Sequence, residues 1–210
     1  MNRAAFYTYL KKGFRQDLPG RRHFLLALIL VCLPIAAPAD SKLEGDFDRF
    51  PTEITVGQTT LQRKGVGRMR RWMITGADVA LYVPEGTARA DILTGGPFAL
   101  SFYYYTRIRG EQFTTAGWEI LRHNVSADVL EEQSANIEKM GTFLTDVGRG
   151  DRYLLLFDPD RGTTLKRNGK KVGTIEDDRF AAVYFQIWLG RHPIDERMHN
   201  ALITALPETG

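Results

Sequence analysis

Asn168 and Gly169 are adjacent, and both tolerate a positive φ. The flanking segments, Thr163 to Arg167 and Lys171 to Ile175, are therefore expected to pair as a tight hairpin. Just upstream, Tyr153 to Phe157 is an apolar run joined to that hairpin by a turn at Asp158-Pro159-Asp160. Phe98 to Ile108 is the clearest strand of the chain, aromatic and β-branched throughout. Alternation puts Phe98, Leu100, Phe102 and Tyr104 on one face and Ala99, Ser101, Tyr103 and Tyr105 on the other. Both sets suit cover, so this strand belongs in the middle of a sheet.

Other strands precede it. Phe50-Pro51 opens a short strand through Val56, Gly57-Gln58 turns it, and Thr59 to Met69 returns. A further extended segment runs from Trp72 to Val83 and ends at Pro84. Helical spacing appears from Gly110 to His123, with Phe113, Ala116, Gly117, Ile120 and Leu121 inward. Ser126 is positioned to cap a second helix reaching Val147, with Leu130, Ile137, Met140 and Leu144 inward. Phe180, Val183, Tyr184, Ile187 and Trp188 form one face of a buried helix, and Asp195 caps a last one carrying Met198, Ala201, Leu202 and Ala205. Strands followed by helices, twice over, indicate an α+β fold: an antiparallel sheet layered with helices.

The N-terminus reads differently. Lys11, Lys12, Arg15, Arg21 and Arg22 precede an apolar stretch from Phe24 to Ala37, and Ala37-Pro38-Ala39 supplies a cleavage pattern. Those are the marks of a secretory signal peptide over residues 1–39, with an apolar stretch shorter than the roughly 20 residues of a membrane span. The expected location is the periplasm. Arg21-Arg22-His23-Phe24-Leu25 matches the core of twin-arginine signals, but paired arginines are common in ordinary leaders, so the Sec route is expected. Residues 40–49 read as a linker, 50–206 as one domain and 207–210 as a tail. No membrane span is expected after processing.

The leader also owns the basic charge. The chain has 28 basic and 25 acidic residues; residues 1–39 hold six of the former and one of the latter, leaving 22 against 24. A slightly acidic exported domain is no candidate for nucleic acid. Its single cysteine, Cys32, lies in the leader, which excludes disulfides and thiolate chemistry from the domain.

The familiar motifs do not complete. Gly65-Val66-Gly67 has Arg70 where a dinucleotide fingerprint needs its third glycine, and no helix follows, so it reads as a bend in a strand. His123, His192 and His199 share no ligand spacing. No metal or cofactor is expected. Arg63, Lys64, Arg68, Arg70 and Arg71 form a cationic run that suits a solvated face, or a patch for an anionic ligand or for lipid headgroups at a membrane surface.

Taken in order, Phe50-Pro51, Gly65-x-Gly67, Leu81-Tyr82, Gly110-x-Gln112-Phe113, Gly150-Asp151, Gly162-Thr163, Asn168-Gly169, Phe180 and Trp188-Leu189-Gly190 resemble the bacterial chalcone isomerase-like family. The resemblance implies an open-faced β-sandwich with an apolar cleft between sheet and helices. It also implies a choice of roles, since relatives include ring-closing isomerases, fatty-acid-binding proteins and non-catalytic helpers. In the isomerases an arginine holds the attacking phenolate, while a tyrosine and a threonine stabilise the developing oxyanion. By the resemblance, the arginine position falls on Met69, the threonine position near Ala77, the tyrosine position on Phe113 and a helical asparagine on Ile120. All four polar groups are replaced by apolar ones.

Ring closure by that mechanism is therefore not expected. The expected role is an exported, non-catalytic domain holding an apolar or lipid-like small molecule, with Met69, Phe113 and Ile120 lining the cleft and Tyr103 or Tyr105 as polar contacts. Two alternatives stand beside it. One is an intramolecular lyase or isomerase for a chalcone-like enone, using Arg68 or Arg70 brought inward by a bulge at Gly67. The other is a structural or partner-binding module whose cleft is closed core.

Overall fold

The computed structural model describes residues 47–71, 74–94 and 96–208; the leader, most of the linker and Trp72, where a strand was expected to start, lie outside the described residues. Residues 39–210 fall in one structural unit.

Seven strands run in chain order across a single antiparallel sheet: β1 (Glu53–Val56), β2 (Thr59–Arg71), β3 (Ile74–Val83), β4 (Phe98–Tyr104), β5 (Arg152–Asp158), β6 (Gly162–Arg167) and β7 (Lys170–Ile175). β4 is the fourth of the seven, as its two covered faces require. It stops at Tyr104, and beyond it Ile108 pairs with Val147 in an isolated antiparallel bridge outside the seven strands. Asn168 at φ 49° and Gly169 at φ 81° make the β6–β7 turn, which gives a two-residue hairpin the right-handed twist of its strands.

Three helices are inserted between β4 and β5: α1 (Gly110–Asn124), α2 (Ala127–Glu132) and α3 (Ser134–Phe143). The expected single helix from Ser126 is thus two, broken at Gln133. That side chain is buried, donates to Asp177 at 3.1 Å and accepts from Asn136, so its polar ties replace helical continuity. Ser126 does hold the N-cap position, but its hydroxyl makes no capping bond. After β7 come α4 (Phe180–Tyr184), α5 (Gln186–Leu189) and α6 (Glu196–Ile203). The first two divide at Phe185 the helix read from Phe180 to Trp188. Asp195 caps α6 through a bond from the Met198 N–H at 3.0 Å. Ala205, expected inward, is exposed, and Leu206 is buried in its stead.

All six α-helices of the described residues pack on one face. That face carries the main core, from Val79, Leu81, Phe98 and Leu100 across to Leu155 and Leu165. The second face carries a smaller cluster of Phe50, Leu61, Val66, Tyr82, Ala99 and Leu156 beneath the incoming N-terminal segment. The Tyr82 hydroxyl donates to Pro51 O at 2.9 Å and the Arg63 N–H to Thr52 O at 2.8 Å, tying that segment down.

The Gly65-x-Gly67 bend now has a cause. A Cβ at Gly65 would lie 2.4 Å from the carbonyl oxygens of Ala201 and Leu202, and one at Gly67 2.4 Å from that of Met198. Both glycines let the backbone of α6 rest directly on β2, a contact no side chain would permit.

Candidate functional site

Met69 on β2 stands opposite Ala77 on β3, and Ala77 stands opposite Tyr104 on β4. The three form a row across the helix-covered face. Ala77 is fully buried and Tyr104 nearly so, while Met69 is half-buried against the same core. At this row β3 carries an extra residue, Gly76, a bulge that lets the strand bend beside Met69.

α1 brings the remaining positions over the row. Its start is fixed by polar bonds: the Gly110 N–H donates to Asp146 Oδ1 at 3.0 Å and the Arg109 N–H to Gln112 Oε1 at 2.9 Å. Phe113, in the first turn, then sits with its ring 5.7 Å from that of Tyr104 and 6.0 Å from that of Tyr153. Ile120, two turns on, shares the same stripe and is half-buried on the same core. Met69, Ala77, Phe113 and Ile120 thus all lie on the helix-covered side of the sheet. Three of them are only partly buried, so the site is an apolar seam whose rim is exposed and whose floor is closed.

The floor is aromatic. Phe102 contacts Trp188 at 5.2 Å between ring centroids, and Trp188 contacts Tyr184 at 5.9 Å. Tyr104 and Tyr184 are only 3% and 5% exposed. Neither hydroxyl has a hydrogen-bond partner among the described residues. Burial pushes both phenols above their ordinary range, and Tyr104 is raised further by the fields of Tyr153 and Tyr184. Tyr153 differs: its hydroxyl donates to Thr145 O and accepts the Thr145 N–H, each at 3.0 Å. In the sequence Tyr104 and Tyr184 are indistinguishable from plain core, because helical and strand periodicity reports which face a residue is on and not whether its polar tip finds a partner.

Tyr103 and Tyr105 lie elsewhere. Alternation along β4 turns them to the second face, where their rings meet at 5.0 Å and the Arg49 guanidinium stacks over both. They do not contact the seam. The signal was already in the strand: the helix carrying Phe113 covers the face of Tyr104, so its neighbours had to point away.

Arg68 is on that second face too. The bulges of β2 and β3 fall at Lys64 and at Gly76, not at Gly67, and leave Arg68 opposite Asp78. Its guanidinium grips the carboxylate at 2.7 and 2.9 Å, and Tyr105 donates to the same carboxylate at 2.7 Å. The bond to Asp78 raises the Arg68 pKa, and Asp78 is wholly buried. Arg70 gives its N–H to Asp195 at 3.1 Å, and its Nε is enclosed without a hydrogen-bond partner among the described residues. Arg152 completes this cationic–aromatic face, lying 4.9 Å from the Tyr103 ring.

Two surface concavities are unrelated to the seam. One, of about 980 Å³, is polar and runs from the β1–β2 turn to β7, past Asp158, Thr164, Thr174 and Arg179. The other, of about 630 Å³, lies between Arg89 and α6 beside His199. Among the described residues no group of His, Cys, Asp or Glu is placed to hold a metal, and no helix is long and apolar enough to cross a membrane.

A family profile described as chalcone isomerase-like matches residues 47–204. Among solved structures, the chain is similar to the crystal structure of a fatty-acid-binding protein of Arabidopsis thaliana, at 13% identity and a TM-score of 0.58, covering 73% of this chain and 90% of that one. Likeness at that identity is one of fold, and the curled antiparallel sheet with helices on it is the shared part. No curated protein matches the chain.

Proposed function

This chain belongs to the chalcone isomerase-like family, and we propose that it is a non-catalytic member that holds an apolar or lipid-like small molecule at the seam between its sheet and α1. One observation carries the reading. The four positions that the family resemblance links to ring closure are apolar, and they lie together on the helix-covered side with three of them partly exposed. Each lost oxyanion donor costs about 3–4 kcal/mol of transition-state stabilisation, so a site without them has little means to accelerate ring closure. What it keeps is apolar surface, worth about 25 cal/mol per Å² buried.

The Arabidopsis protein of similar fold is named for binding fatty acids. That supports a lipid-like ligand here. Met69 suits the rim of such a site, since its unbranched thioether can swing aside and repack around an entering chain. Export to the periplasm by the leader is part of the same proposal and rests on residues 1–39 alone.

The test is uptake of diphenylhexatriene, an uncharged apolar probe whose fluorescence rises on burial. Wild-type protein is expected to bind it saturably, and Met69→Asp and Phe113→Asp to bind it at least about tenfold more weakly, by placing a charge at the seam. Unchanged uptake and unchanged stability in both variants would overturn the reading.

A further inference from the structure

The geometry points to Tyr104 and Tyr184 as a paired polar anchor at the floor of the seam, selecting a ligand whose buried end carries an uncharged oxygen, an alcohol or a carbonyl. This rests on the ligand-binding reading above and adds to it the chemistry of the ligand.

The argument starts from the hydroxyls. The little of Tyr104 and Tyr184 that stays accessible includes the hydroxyl, so each phenol is open to water or to a ligand's oxygen. Tyr104 and Tyr184 are 3% and 5% exposed, and neither hydroxyl has a partner among the described residues. Their neighbour Tyr153 shows what a structural tyrosine does in this core: it is closed by two bonds to the backbone of Thr145. The two open hydroxyls come from different elements, β4 and α4, and both adjoin the same aromatic floor, Tyr104 beside Phe102 at 6.3 Å and Tyr184 beside Trp188 at 5.9 Å. Each phenol can donate one hydrogen bond, and a carbonyl oxygen has two lone pairs to receive them; an alcohol can accept one and donate to the other.

Charge narrows the class. A carboxylate would need a cation to offset its desolvation. The arginine nearest in sequence to Met69 on its N-terminal side, Arg68, is on the far face and bound to Asp78. The position that would hold a guanidinium is Met69, and Phe113 brings no hydroxyl. Among Met69, Phe113, Tyr104 and Tyr184 the seam offers phenol donors and no positive charge, which suits a neutral oxygen better than an ionised acid.

The experiment compares 1-dodecanol, dodecanoate and diphenylhexatriene at pH 8, where the acid is ionised, on the full-length protein and on Tyr104→Phe, Tyr184→Phe and the double variant. Dodecanol is expected to bind at least about tenfold more tightly than dodecanoate, a difference of about 1.4 kcal/mol. Each single variant is expected to weaken dodecanol several-fold and the double variant about tenfold or more, with diphenylhexatriene unchanged. Because the removed hydroxyls hold no bond in the unliganded protein, none of the three variants is expected to lower its melting temperature. If diphenylhexatriene binds while dodecanol affinity is the same in all four proteins, the anchor is wrong and the seam stands. If the double variant melts well below wild type, the hydroxyls have a structural partner and the anchor is likewise wrong. If wild type takes up none of the three compounds, the ligand-binding reading fails and the anchor with it.

Discussion

Arg68 Nε and Asp78 Oδ1 meet at 2.7 Å across β2 and β3, on the face of the sheet opposite Met69. The pair is asymmetric: Asp78 is wholly buried, whereas the Arg68 side chain keeps 21% of its exposure. Removing the arginine takes the guanidinium from a wholly buried carboxylate, which keeps the bond from Tyr105, while removing the acid leaves a cation that can still reach water. Arg68→Ala is expected to cost about 3 kcal/mol or more in urea unfolding, and Asp78→Ala less. Neither is expected to change diphenylhexatriene affinity. A loss of binding in Arg68→Ala with stability intact would place that arginine in the site after all.

Gly65 and Gly67 are expected to be intolerant for a steric reason. A methyl at either would sit 2.4 Å from a backbone carbonyl of the helix above, so α6 must lift or the strand must bend. Gly65→Ala and Gly67→Ala should each cost about 3 kcal/mol, at the upper end for overpacking. By contrast, a Cβ at Gly86 or Gly96 meets nothing within 4 Å. Gly96→Ala, which adds a methyl into open space, is the matched control for thermal unfolding and should melt within a degree or two of wild type.

A gain of function is the sharper check on the seam. Met69→Arg with Phe113→Tyr restores a cation and a phenol at the arginine and tyrosine positions of the family resemblance. The double variant is expected to bind dodecanoate at least about tenfold more tightly than wild type, since a charge-assisted hydrogen bond is worth about 1.5–3 kcal/mol. Isothermal titration at pH 8 measures it. No gain, in a folded variant, would mean that the two side chains do not face a common space.

Acid stability follows from two carboxylates outside the seam. Asp151 is held below its ordinary value of 3.8, first by the bond from Asn168 and then by the Gly148 N–H and Arg167. Burial would raise Asp177, but bonds from Gln133 and from the Arg179 and Phe180 N–H groups outweigh it and hold it low as well. A folded pKa below the unfolded one contributes stability that is present above the unfolded value and lost as pH falls through the folded one. Unfolding free energy should therefore show no contribution from these groups to its slope above about pH 5 and fall below about pH 4. Asp151→Asn should flatten that fall. A decline beginning near pH 6 would point to other groups.

Much of the fold could be read because its strands declare themselves locally. The aromatic β4 and the Asn168-Gly169 turn need no tertiary information, and the α+β layering follows from their order. The breaks at Gln133 and Phe185 could not be read this way. Helical periodicity runs through both, and the first is decided by a bond from Gln133 to Asp177, 44 residues away. The same limit applies to the seam. The resemblance named Met69, Ala77, Phe113 and Ile120, and the register of β2 to β4 sets Met69, Ala77 and Tyr104 side by side. Tyr103 and Tyr105, expected as polar contacts, point to the second face because alternation along the strand separates them from Tyr104. Tyr104 and Tyr184 look like any other core aromatics until the neighbours of their hydroxyls are known.

Native mass spectrometry of the protein, purified gently from a host that exports it, bears most directly on the ligand-binding role. The expected spectrum shows a fraction carrying one neutral adduct of lipid size, released on activation and lost in Phe113→Asp. A single sharp unliganded mass from wild type, unchanged after incubation with dodecanol, would contradict that role and leave the seam as closed core.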